Sequence, residues 1–179
     1  MLGVTATGVA GATDLPPPEI RALAPEADAY VSEAQPQRNF GRLSALRADR
    51  VPDTTIYLRF RTKKLGGALT GVTLLLHAQA GAGVRYQVRR VQGNEWREAR
   101  LTYSNAPKLS LRYASSKPVR RGAWNAVDVT PFIDSSDDRV SLGVTTRSAV
   151  AVVFASRESS HGPRLVVRTA EQPEEEPEP

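Results

Sequence analysis

The sequence predicts an all-β protein: an antiparallel β-sandwich of jelly-roll type, with about ten strands and one short helical turn. Three observations lead there. Apolar and polar residues alternate with period two in segment after segment, as in a strand with one face buried. Gly, Pro, Asn and Asp cluster between these segments, in "LGG", "AGAG", "QGNE", "SNAP", "SSDD" and "SHGP". Such turn signals recur at intervals of roughly 8 to 15 residues. Nowhere do apolar residues keep helical spacing for three turns.

Along the chain, residues 1–25 are expected to stand outside the sandwich. "MLGVTATGVAGATD" is small and weakly apolar. Its "AGA" suits a signal-peptidase site, while the missing basic n-region suits a plain small-residue leader. "LPPPE" at 15–19 reads as a stiff polyproline spacer. The sandwich is expected over residues 26–169, and "DAYV" opens it. In "TIYLRFR" (55–61), Ile56, Leu58 and Phe60 point to one face, and Thr55, Tyr57, Arg59 and Arg61 to the other. "GVTLLLHAQA" (71–80) and "AVAVVFAS" (149–156) are more continuously apolar, as strands in the middle of a sheet are. "VRYQV" (84–88) turns Val84, Tyr86 and Val88 inward and Arg85 and Gln87 outward. "LSLRYAS", "AWNAVDVT", "VSLGVTT" and "RLVVRT" supply further strands. In "TPFID", Thr130 is expected to cap a helical turn with Pro131 at its first position. Residues 170–179 are an acidic Glu/Pro linker or tail.

The chain of 179 residues contains no cysteine, so disulfides and thiolate metal sites are excluded. Its net charge of +5 conceals an asymmetry. All 24 Lys and Arg lie between Arg21 and Arg168 with only 12 acidic residues, so this body carries +12. A body so basic attracts polyanions. No apolar run approaches the ~18 residues that span a bilayer.

Six segments share an order and spacing: "ADAYVSEAQPQRNFG", "LRAD", "YLRF", "EWREARLTYSNAP", "AWNAVDVTPFI" and "FASRESSHGPRLVV". Together they resemble the DNRLRE domain, a group that includes carbohydrate-binding module family 96. The resemblance spans about residues 26–169, with Tyr103 standing where the family usually shows Trp. It implies a non-catalytic β-sandwich, extracellular or on the cell surface, usually appended to a polysaccharide lyase, a hydrolase or a surface protein. Members with an assigned function bind acidic polysaccharide such as alginate, the partner expected here. The alternative is a structural or adhesion module of an extracellular assembly. No nucleic-acid motif accompanies the charge.

Within "FASRESSHGPRLVV" (154–167), Ser156, Glu158 and His161 are the ingredients of a hydrolase. The segment ends in a turn signal and has no nucleophile elbow, so it reads as a hairpin and the protein as no enzyme. For the ligand, Arg59, Arg61, Arg85 and Arg89 are the candidate clamp, because guanidinium groups match carboxylates with two parallel bonds. Tyr57 is the candidate sugar platform beside them. Trp96, Tyr103 and Trp124 are either packing or platform. The resemblance sets Arg47, Arg59, Arg157 and Glu158 in motif positions, as corner ion pairs or as part of the clamp. Asp28, Asp128 and Glu158 are candidate ligands for a structural calcium ion, with Asp49 a further acid to weigh.

Overall fold

A computed structural model describes residues 19–63, 65 and 68–170. The leader as far as residue 18 and the tail from 171 lie outside the described residues. The strands are β1 (Glu19–Leu23), β2 (Pro25–Ser32), β3 (Ala45–Ala48), β4 (Thr54–Arg61), β5 (Ala68–Ala80), β6 (Tyr86–Val91), β7 (Leu109–Ser115), β8 (Trp124–Asp128), β9 (Arg139–Thr146), β10 (Val152–Ala155) and β11 (Arg164–Ala170). They form two antiparallel sheets. One runs β2-β4-β9-β6-β7. The other is centred on β5, with β8 along one edge and β10 and β11 in line along the opposite edge. β3 pairs with β10 and β1 with β11.

The period-two reading holds where it was strongest. Ile56, Leu58 and Phe60 of β4 meet Tyr86, Val88 and Leu142 of their own sheet and Leu74, Leu76, Phe154 and Leu165 of the other. Each such side chain contributes roughly 1.5–3 kcal/mol by leaving water.

Three local expectations are corrected. The sandwich starts at Glu19 rather than residue 26, because β1 pairs along β11 from Glu19↔Thr169 to Leu23↔Leu165. β1 is almost wholly exposed, so its place rests on backbone hydrogen bonds that leave no apolar pattern to read. Residues 156–163 are not a hairpin. Phe154 pairs with Ala78 and Arg164 with Leu75, so β10 and β11 follow one edge of β5 and the segment between is an excursion from that line. The helical turn exists as a 3₁₀ turn, Thr130–Phe132, but Thr130 is its first residue and not its cap. Its hydroxyl accepts the Val72 N–H at 2.8 Å and donates to Asp128 Oδ1 at 2.6 Å.

One core group breaks the rule that buried polar atoms are paired. Tyr86 is fully buried with its ring edge-on to Phe154, and its hydroxyl has no hydrogen-bond partner among the described residues. Burial holds that hydroxyl's pKa above the ordinary tyrosine value. Tyr86→Phe is therefore expected to raise stability by about 1 kcal/mol, read as a higher urea midpoint at unchanged slope. A lower midpoint would mean that the hydroxyl is bonded after all.

Candidate functional site

The outward face of the five-stranded sheet is divided into a covered half and an open half. Residues 92–108, linking β6 to β7, fold over the β2 and β4 end. There Trp96 and Leu101 bury against Ala27, Ala29, Val31 and Tyr57 in a second apolar cluster. Arg59 rivets this cover to the sheet. Its Nε lies 2.6 Å from Glu26 Oε1, and its Nη1 donates to the Asn94 carbonyl at 3.0 Å and to the Trp96 carbonyl. The guanidinium also lies 4.9 Å from the Trp96 ring centroid. Trp96 Nε1 donates to Ser141 Oγ at 3.0 Å, which satisfies the buried indole.

The open half belongs to β6, β7 and β9. Arg89 stands opposite both Tyr113 and Gly143, and Gln87 opposite both Ser115 and Thr145. Tyr113 is 43% exposed. Two cations lie over its ring, Arg89 at 4.9 Å and Arg147 at 5.8 Å from the centroid. Arg89 is held in place by the Ser110 and Leu111 carbonyls at 3.0 and 2.9 Å and by Gln87 Oε1 at 2.9 Å. Beside this, a groove of about 440 Å³ is lined by Asp53, Tyr57, Tyr103, Lys108, Leu109 and Thr145, among others. An exposed aromatic ring, guanidinium groups and hydroxyls on one solvent-facing sheet can pack against a sugar and hold its anionic substituents.

A second constellation lies where the excursion of residues 156–163 meets β2. Asp28, Glu98 and Glu158 bring carboxylate oxygens within 4.8 Å of one another. Asp28 Oδ2 accepts the Arg157 backbone N–H at 2.7 Å, and Glu98 Oε1 accepts the Asp28 N–H at 2.8 Å. The Arg157 guanidinium lies 3.5 Å from both Glu98 and Glu158. Burial, opposed by the Arg157 N–H and reinforced by the two neighbouring acids, pushes the Asp28 pKa from 3.8 to about 7.

The model of carbohydrate-binding module family 96 matches residues 19–169, nearly the whole described chain. The chain belongs to carbohydrate-binding module family 96. Among solved structures, this module is similar to a chain from work on the promiscuous specificity of carbohydrate-binding modules of the β-sandwich superfamily. The identity is 12% and the TM-score 0.26, with 84% of this chain and 55% of that one covered. The module thus spans little more than half the length of that chain. A search of curated proteins finds no match.

In the family 96 module, the residues expected to form a clamp share one sheet face but not one role. Arg85 and Arg89 reach the open half, and Arg85 is exposed with Nη1 donating to the Ser116 carbonyl at 3.1 Å. Arg61 is exposed at the far end of β4, opposite Arg139. Two expectations are corrected. Tyr57 is only 4% exposed and donates its hydroxyl to the Pro107 carbonyl at 2.9 Å, so its ring is no platform. Arg59, with its side chain 17% exposed, has its guanidinium taken up by the cover. Both residues point outward as alternation requires, and residues 92–108 then bury that outward face.

The calcium candidates also separate. Asp28 and Glu158 meet, joined by Glu98, which the sequence reading passed over. Asp128 is on β8 and accepts the N–H and hydroxyl of Thr130. Those two bonds hold its pKa below the ordinary value. Asp49 caps Arg50 and pairs with Arg47 at 2.7 Å.

Ser156, Glu158 and His161 form no triad. Glu158 Oε2 accepts from Ser156 Oγ at 2.7 Å, while His161 Nδ1 lies 2.9 Å from Ser160 Oγ and its ring lies against His77. Tyr113 was missed, although it shares the outward parity of Arg89 once β6 and β7 are paired. The pairing, not the sequence, supplies that register.

Proposed function

We propose that this family 96 module is a non-catalytic extracellular or cell-surface domain that binds an acidic polysaccharide, an alginate-like polyuronate, through the open half of the five-stranded sheet. Membership of the family supports carbohydrate as the partner. The acidic class is supported by one observation above the rest: the guanidinium groups of both Arg89 and Arg147 lie over the exposed ring of Tyr113. Lys108 and Arg85 are also exposed beside these strands, and the body's charge draws a polyanion toward them. An appended lyase or hydrolase would gain proximity to its substrate from such a module. No helix among the described residues is long and apolar enough to cross a membrane.

Binding is expected to weaken as salt shortens the screening length to ~8–10 Å and below. Tyr113→Ala and Arg147→Ala should each weaken binding to a polyuronate oligomer roughly tenfold, through the lost ring surface and the lost charge-assisted bonds. Arg147→Lys keeps the charge without the fork, and should fall between parent and Arg147→Ala. Calorimetric titration against alginate, pectate and a neutral glucan reads all three. A parent that prefers the neutral glucan and ignores salt, or a Tyr113→Ala variant that binds like the parent, refutes the assignment.

The acid cluster is the proposed calcium site. Asp28, Glu98 and Glu158 offer the hard oxygen donors calcium prefers, with the remaining positions left to backbone and water. Arg157 already supplies positive charge there, and it would have to move aside.

A further inference from the structure

Cations and an aromatic ring meet a second time, at the edge of the other sheet. The chain leaves β7 and turns through residues 116–123 into β8, enclosing a groove of about 540 Å³ lined by Ser116, Lys117, Pro118, Arg120, Trp124 and Asn125, among others. Asn125 sets its shape. Its Oδ1 accepts the Arg120 N–H at 3.0 Å, and its Nδ2 donates to the Arg120 and Ala123 carbonyls at 3.3 and 2.8 Å. Gly122, at φ 72°, makes the turn in a conformation that side-chain-bearing residues avoid.

Lys117 and Arg120 are exposed, and neither has a carboxylate partner among the described residues. Trp124 is half-buried. The Arg164 guanidinium lies 5.1 Å from its ring centroid and His77 stands edge-on at 5.4 Å, so the indole is fixed where it lines the groove. The groove shares no lining residue with the one beside Tyr57 and lies on a strand of the opposite sheet.

We infer that this groove is a second binding site for an acidic sugar, which makes the module divalent toward a polyanionic glycan. Lys117 and Arg120 would take the carboxylate or sulfate group, and the exposed part of the Trp124 indole the apolar side of the sugar. The inference rests on the proposed reading that the partner is an acidic polysaccharide. Two sites on different sheets let one module hold two chains, or two stretches of one chain, with the second contact made at raised effective concentration.

The chain has two tryptophans, so indole N–H resonances report on the site directly. Trp96 is buried in the cover and serves as a folding control. A short alginate oligomer titrated into the full chain should shift the Trp124 resonance saturably, both in the parent and in a Tyr113→Ala/Arg147→Ala variant. In Lys117→Ala/Arg120→Ala, that shift should weaken by roughly tenfold or more, with the calorimetric stoichiometry falling from about two toward about one. The Trp96 resonance should stay in place throughout. If the oligomer binds at one site, is lost in the Tyr113→Ala/Arg147→Ala variant and leaves Trp124 unmoved, this inference fails and the sheet-face reading stands. If the parent binds no acidic oligomer, both fail together.

Discussion

Replacing Asp28 by Asn is expected to remove a pH dependence of stability worth about 4 kcal/mol between roughly pH 4 and pH 7. The cause is the burial that lifts its pKa from 3.8 to about 7 at a position only 1% exposed. In that window the folded protein keeps a proton that the unfolded chain has released. Stability from this group is therefore fully present below about pH 4, and it is lost as pH rises through about 7. Other carboxylates titrate in the same range, so the measurement is the difference in unfolding free energy between parent and Asp28→Asn at each pH. The amide oxygen can still accept the Arg157 N–H, so the variant should be the more stable of the two at pH 8. A difference that stays flat from pH 4 to pH 8 overturns the assignment. Calcium acts in the opposite sense, because it favours the ionised acid. Calcium that raises the parent's melting temperature at pH 8, but not the variant's, places the ion at this cluster.

Arg59→Ala should destabilise the fold by about 2–3 kcal/mol, less than a fully buried ion pair costs because water still reaches part of the side chain. The change strips the Asn94 and Trp96 carbonyls of their donor and leaves Glu26 with Arg139 alone, whose Nε lies 2.9 Å away. Arg59→Lys keeps the charge but cannot reach Glu26 and both carbonyls with a planar fork, so it should recover only part of the loss. Urea unfolding gives both values, and oligosaccharide titration gives the affinity. If Arg59→Ala unfolds like the parent yet loses the glycan, Arg59 belongs to a binding clamp and the rivet assignment is wrong.

The sandwich, the strands that alternate most cleanly and most of the core are legible in the order of residues along the chain. Alternation is local: Ile56, Leu58 and Phe60 lie on one side of a pleated strand whatever the rest of the chain does. The same rule correctly turned Tyr57 and Arg59 to the opposite side. What it could not supply was the cover, because residues 92–108 meet that face through tertiary contacts that no local pattern records. Nor could it bring Asp28, Glu98 and Glu158 together, since each comes from a different stretch of the chain and no spacing links them. The colinear course of β10 and β11 along β5 was hidden for a related reason. Turn residues look alike whether the chain reverses or merely loops out and resumes. Pairing partner, register and cover are set by the free energy of closing distant segments into one core, and so the tertiary structure alone decided which outward residues meet solvent.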